Sequence, residues 1–199
     1  MTITYTHENT IYVNVTNKCS NCCAFCIRNN KDNIDESGSL WLEREPTKEE
    51  ILQDILQRDL TKYDELCFCG FGEPTYRIED ILWVSKEIKS HSEIPIRINT
   101  NGHANLIHGR DVAPLMDGLI DTVSISLNAK NAEWYHELCR SQFGLKAFDG
   151  LLDFAKKAKP YVKRVVLTVV DVLPQADVDE CKKIAKDIGV DFRVRHFEQ

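Results

Sequence analysis

Short β-branched runs alternate with helical segments along the whole chain, and this alternation restricts the fold more than any other feature. The runs are 11–16 "IYVNVT", 64–69 "DELCFC", 95–100 "PIRINT", 121–127 "DTVSISL", 163–170 "KRVVLTVV" and 190–195 "VDFRVR". Helix-like segments separate them at 47–59, 77–90, 131–140, 147–159 and 175–188. Thr47 and Glu50 have the capping-box spacing, and apolar residues follow at 51, 52, 55 and 56. Strands that alternate with helices imply a parallel sheet built from right-handed βαβ units. Six strands predict an α/β chain of the (β/α)6 type. No composition shift, low-complexity tract or linker marks a boundary, so a single domain over residues 1–199 is expected.

Side chains alternate between the two faces of a strand. Ile94, Ile96 and Ile98 share one face, with Arg97, Asn99 and Asn101 on the other. Val123, Ile125 and Leu127 oppose Thr122, Ser124, Ser126 and Asn128, and Ile11, Val13 and Val15 oppose Asn14 and Thr16. Arg193 and Arg195 share a face of the last run. The aliphatic face should pack on the helices. A closed eight-stranded barrel fills its interior with Val, Ile and Leu, and a flat open sheet wants both faces apolar. The polar second face therefore predicts a curved, incompletely closed barrel whose polar lumen takes a polar ligand.

Composition excludes some partners. The net charge of −6 provides no bulk attraction to nucleic acid or to an anionic membrane. The basic run "KKAKPYVKR" at 156–164 reads as a solvated helix end. No apolar stretch reaches the ~20 residues of a membrane span. The N-terminus "MTITYTHENT" lacks the basic and apolar regions of a signal peptide, so a cytoplasmic location is expected.

In a reducing compartment, clustered thiols read as metal ligands or redox groups before disulfides. Four of the eight cysteines fall within "CSNCCAFC" at 19–26, directly after the first run. In parallel α/β folds, ligands sit at the carboxyl ends of strands, where this loop must lie. Two Cys-x2-Cys pairs could bind zinc, but such pairs are usually ~15–20 residues apart and here they abut. A redox pair would use two thiols only. Cys19-x3-Cys23-x2-Cys26 suits an iron–sulfur cluster with three thiolate ligands and one iron left open. Cys67, Cys69, Cys139 and Cys181 are scattered. Cys67 and Cys69 have the spacing of same-face strand residues, directed into the lumen.

Cys19-x3-Cys23-x-Phe25-Cys26 resembles the signature of radical S-adenosylmethionine (SAM) enzymes. "GFGEP" at 70–74 resembles that superfamily's Gly-Gly-Glu-Pro motif, with Phe71 in place of its first glycine. "WLEREP" at 41–46, "FCGFGEPT" at 68–75, "NTNGHANLIHGRD" at 99–111 and "SISLNA" at 124–129 resemble a compact group linked to TatD-type hydrolases. The resemblance implies a partial barrel binding one [4Fe–4S] cluster and SAM. Cys19, Cys23 and Cys26 would ligate the cluster, with Cys22 a bystander. Phe25, Gly70, Gly72, Glu73, Pro74, Asn99, Asn101, Ser126 and Asn128 would form the SAM site. Gly72 would let backbone approach the ligand, Glu73 would suit the methionine ammonium, and Phe25 would lie beside the adenine. An electron donor such as a flavodoxin or ferredoxin is implied.

Arg28, Trp41, Arg44, His103, Arg140, Arg193, Arg195 and His196 are candidates for contacts to a carboxylate or phosphate of a substrate. "WLEREP" could supply part of a lid. The chain offers little else to cap the open side, so a protein substrate or a homo-oligomer partner would close it. Two enzymatic readings stay open: hydrogen abstraction from a small molecule, and activation or modification of a partner protein, with a TatD-type hydrolase a candidate. A metal-binding module without catalysis is the third.

Overall fold

A computed structural model describes residues 1–34 and 36–196. The strands are β1 (Thr4–His7), β2 (Thr10–Val13), β3 (Glu65–Phe68), β4 (Ile96–Thr100), β5 (Thr122–Ser126), β6 (Arg164–Val170) and β7 (Asp191–Arg195). The helices are α1 (Lys48–Leu56), α2 (Ile78–Lys89), α3 (Ala104–His108), α4 (Ala132–Cys139), α5 (Lys146–Ala158) and α6 (Gln175–Ile188). All seven strands join one sheet in the order β1 to β7. β1 pairs antiparallel with β2, and every later pair is parallel.

The architecture is therefore the expected α/β partial barrel with one strand more than the expected six. The addition is β1, four residues long, joined to β2 by a tight turn at Glu8 and Asn9. Glu8 takes φ 51°, a left-handed conformation usually marked by glycine or asparagine, so the hairpin carries no glycine signal. The short α3 was also absent from the expected elements. It spans five residues and stops at Gly109, whose φ of 62° ends the helix.

The aliphatic strand faces pack as anticipated. Ile11, Val13, Leu66, Phe68, Ile96, Ile98, Val123, Ile125 and Leu167 are fully buried in one core with Ile51, Ile55, Ile81, Leu151 and Phe154 from the helices. Each such side chain contributes about 1.5–3 kcal/mol of transfer free energy. Thr47 and Glu50 form the expected capping box and start α1. The opposite sheet face carries Arg97 and Asn99, with Arg97 paired to Glu65 at 2.6 Å. On β6 that face is less polar, because Val166 and Val170 are buried beside Thr168. Among the described residues no helix is long and apolar enough to cross a membrane.

Candidate functional site

The cysteine loop leaves the carboxyl end of β2 and closes against two other strand ends. Cys22 N–H donates to Cys139 O at 3.0 Å and Ala24 N–H to Leu138 O at 2.9 Å. The loop thus satisfies carbonyls that the carboxyl end of α4 leaves open. Asn21 Nδ2 donates to the Tyr135 hydroxyl at 3.0 Å, and Gln142 N–H to Ser20 O at 2.8 Å. Cys19, Cys23 and Cys26 are half-buried, and Cys22 is exposed. Burial pushes the Cys19 thiol up to about 12, and the nearby Glu73 carboxylate adds to the effect. Cys23 is shifted upward too, first by a hydrogen bond with Cys139 and then by burial. Burial also raises Cys26.

The turn after β3 locks onto this loop. Glu73 N–H donates to Lys18 O at 2.7 Å. A Cβ on Gly72 would sit 2.1 Å from Thr16 O, and one on Gly70 would sit 2.1 Å from Asn14 Oδ1. Close approach of the chain to itself therefore already demands glycine at both positions. Arg28 bridges the two segments, donating to Phe71 O at 3.4 Å and Asn21 O at 3.2 Å. Phe71 meets Trp41 edge-on at 5.1 Å, so "WLEREP" lies against this turn.

Glu73 ties the turn to β4. Its Oε1 accepts from Thr75 N–H at 3.0 Å, the Thr75 hydroxyl at 2.6 Å and the Thr100 hydroxyl at 2.7 Å. Its Oε2 accepts from Asn101 N–H at 2.6 Å. The carboxylate is 3% exposed, and burial raises its pKa against these four donors. Glu73 is thus a brace between strand ends, with its oxygens committed inside the chain. Pro74 is buried at the start of a 3-10 turn that runs into α2.

A second buried network lies beneath the cysteine loop. Asn101 Nδ2 donates to Ser20 Oγ at 2.8 Å, and Ser20 Oγ lies 3.1 Å from His103 Nδ1. Tyr135 Oη lies 3.3 Å from His103 Nε2. His103 is fully buried, and burial pushes its pKa down to about 4. It belongs to this support and not to a substrate surface, as does Arg28. Sequence reasoning missed Ser20, Asn21, Tyr135 and Cys139, whose only signal is their place in the loop and on one helix face.

The remaining candidates divide in the same way. Asn99 is half-buried and accepts from Arg97 Nη1 at 2.6 Å. Ser126 ends β5 half-buried, and Asn128 follows at φ 54°. Phe25 is half-buried against the core. Arg44 pairs with Glu50 on the outside of α1, Arg140 caps α4, and His196 bonds Asp171 at 2.7 Å. None of these three joins the cysteine loop. Arg193 is exposed on β7, and Arg195 is half-buried.

The donor set fits a cluster and a polar cofactor. Three thiols come from one anchored loop at the strand ends. Among the described residues no three Cys, His, Asp or Glu side chains form a preassembled metal site, and Cys23 is turned toward Cys139. Asn128 Oδ1 is buried without a hydrogen-bond partner at the end of β5, where a cofactor contact is implied.

A family model described as the radical SAM superfamily matches residues 13–192. Among solved structures, the chain is similar to Streptococcus suis SuiB at 19% identity and a TM-score of 0.64, covering 92% of this chain and 38% of that one. It is also similar to a radical SAM methyltransferase from Sphaerobacter thermophilus, at 16% identity and TM-score 0.61 over 97% of this chain and 68% of that one. The [FeFe]-hydrogenase maturase HydG from Carboxydothermus hydrogenoformans is 15% identical with TM-score 0.63, over 96% of this chain and 44% of that one. A SuiB structure bound to SAM has the same fold at TM-score 0.64, with 19% identity and coverage of 92% of this chain and 37% of that one. At these identities the likeness is one of fold, and the chain spans well under half the length of SuiB. No curated protein matches the sequence significantly.

Proposed function

The chain belongs to the radical SAM superfamily, and on that premise we propose that it is an enzyme generating a 5′-deoxyadenosyl radical for hydrogen abstraction from a substrate. The observation that carries this is the three-thiol loop held against the Gly70–Pro74 turn at neighbouring strand ends. The superfamily's cofactors are a [4Fe–4S] cluster and SAM, and Cys19, Cys23 and Cys26 would hold the cluster. When bound and reduced, the cluster supplies the electron that splits the sulfonium C–S bond. The chain's own part is positional. Arg28 and Glu73 fix the turn against the loop, Asn128 offers an unpaired acceptor, and Trp41 packs edge-on against Phe71 of that turn.

An electron donor such as a flavodoxin or ferredoxin completes the scheme. A partner-protein substrate is a second reading, favoured by the half-exposed strand face of β7 and the exposed Arg193. A TatD-type hydrolase is then one candidate, on the strength of the sequence segments given above. Anaerobic reconstitution with iron and sulfide tests the proposal. We expect about four irons per chain and 5′-deoxyadenosine from SAM after reduction. Cys22→Ala should behave as the parent, and Cys23→Ala should lose iron and product together. Zinc bound in place of iron, with no SAM cleavage, would leave a metal-binding module and refute the enzyme.

A further inference from the structure

A second group of thiols stands on the sheet face opposite the core, and the cluster reading does not use it. Cys67 and Cys69 are two residues apart along β3 and its extension, so they project from the same face. Cys67 is fully buried yet stands outside the core that takes its neighbours Leu66 and Phe68. Its register partners are Tyr12 on β2 and Arg97 on β4. Cys69 sits directly before Gly70, with its N–H bonded to Val13 O at 3.0 Å. Apart from the three candidate ligands, it is the only half-buried thiol among the described residues.

The surroundings tune the pair. The Cys67 thiol donates to the Cys69 sulfur, Asn99 adds a hydrogen bond, and Arg97 and Arg195 add positive charge. These outweigh burial and bring Cys69 down to about 7, while burial drives Cys67 well above the usual thiol range. At neutral pH Cys67 keeps its S–H bond while Cys69 divides between thiol and thiolate, and the thiol form is the one that can give a hydrogen atom. No third Cys, His, Asp or Glu gathers with the pair among the described residues. Both thiols are free.

Chemistry suggests the use. An S–H bond is weaker than an aliphatic C–H bond, so a thiol gives a hydrogen atom to a carbon radical downhill. Cys69, half-buried on the sheet face opposite the core, stands at the base of the same turn that closes on the cysteine loop. We propose that Cys69, backed by Cys67, is the hydrogen-atom donor that quenches carbon radicals formed in the barrel lumen. The role rests on the radical-enzyme reading above. In the step, the Cys69 S–H bond breaks and a C–H bond forms on the carbon that carried the unpaired electron. The unpaired electron then resides on the Cys69 sulfur. One electron from the low-potential one-electron donor that the chemistry already requires, and one proton from solvent, restore the thiol. The substrate class is thus one whose product radical ends by gaining hydrogen from the protein.

Isotope exchange provides the test, without need of the substrate. The reconstituted chain is incubated in D2O with SAM and dithionite in buffer free of small thiols. Solvent converts S–H to S–D and leaves C–H bonds untouched, and the readout is the deuterium fraction of whatever 5′-deoxyadenosine forms. The parent should yield mainly singly deuterated product. Cys69→Ala and the closer-fitting Cys69→Ser should yield several-fold less per molecule formed, since neither alanine nor a hydroxyl delivers a hydrogen atom. Equal deuterium in parent and variants, or none in the parent, would overturn the donor role while leaving SAM cleavage established. Absence of any 5′-deoxyadenosine from the parent would overturn the enzyme reading and the donor role with it. A cluster-free readout stands beside this one: iodoacetamide labelling mapped by mass spectrometry should modify Cys69 with a midpoint near pH 7 and spare Cys67. Cys69 labelling no faster than Cys67 at neutral pH would contradict the half-buried, activated thiol.

Discussion

Glu73 takes four hydrogen bonds from donors at the ends of two strands, and its value lies in what it leaves satisfied. Glu73→Ala would strand the buried Thr100 hydroxyl and the Asn101 N–H. Each unpaired buried donor costs about 1–3 kcal/mol, so we expect a drop of about 3 kcal/mol in urea unfolding. Glu73→Gln keeps one oxygen but turns an amide toward Asn101 N–H, and should fall between the two. His103 gives a pH signature. Its folded pKa of about 4 lies below the ordinary 6.5, so the unfolded chain binds more protons between these values. Stability should therefore fall as pH drops from about 6.5 to about 4, by about 3 kcal/mol from this group. The parent's stability–pH slope should exceed that of His103→Gln by up to one proton in this window, and equal slopes would contradict the assignment. The cysteine spacing was legible because it is local in sequence. The bracing roles of Arg28, Glu73 and His103 were not, because each depends on segments that meet only after the sheet has formed.

At the scale of elements, the strand ends do most to build the site. The Gly70–Pro74 turn packs so closely on the cysteine loop that Gly72 has no room for a methyl group against Thr16 O. Backbone atoms cannot yield as a flexible side chain does, so Gly72→Ala should displace the turn. We expect reduced iron retention after gel filtration and a lowered unfolding midpoint, whereas a variant indistinguishable from the parent would contradict the interlock. Helices and core strands were readable from periodicity, since long amphipathic segments repeat their pattern several times. α2, predicted over 77–90, spans Ile78–Lys89, and α6 was placed at its observed ends. β1 escaped because four residues hold too few alternations, and its turn uses Glu8 where glycine would have announced a hairpin. The residues after Val13 were expected to continue the first strand to residue 16. They leave the ladder instead, so that Asn14 and Thr16 can meet Gly70 and Glu45.

For the whole molecule, the polar second face of the sheet was the informative sign. It pointed to a partial barrel around a ligand, and the seven-stranded, mostly parallel sheet shares the fold of solved radical SAM proteins. The same face holds the candidate cluster loop at its rim and the Cys67–Cys69 pair within. The two-residue spacing of those thiols put them on one strand face, whereas the core cysteines Cys139 and Cys181 lie on helices α4 and α6. The account's central claim is that three thiols hold a cluster and leave one iron open to SAM. The most direct measurement is the low-temperature electron paramagnetic resonance spectrum of the reduced, reconstituted chain before and after SAM is added. A [4Fe–4S]+ signal that changes shape on adding SAM, in the parent and in Cys22→Ala alike, is the predicted result. A signal indifferent to SAM, or one that depends on Cys22 as a fourth ligand, would contradict it.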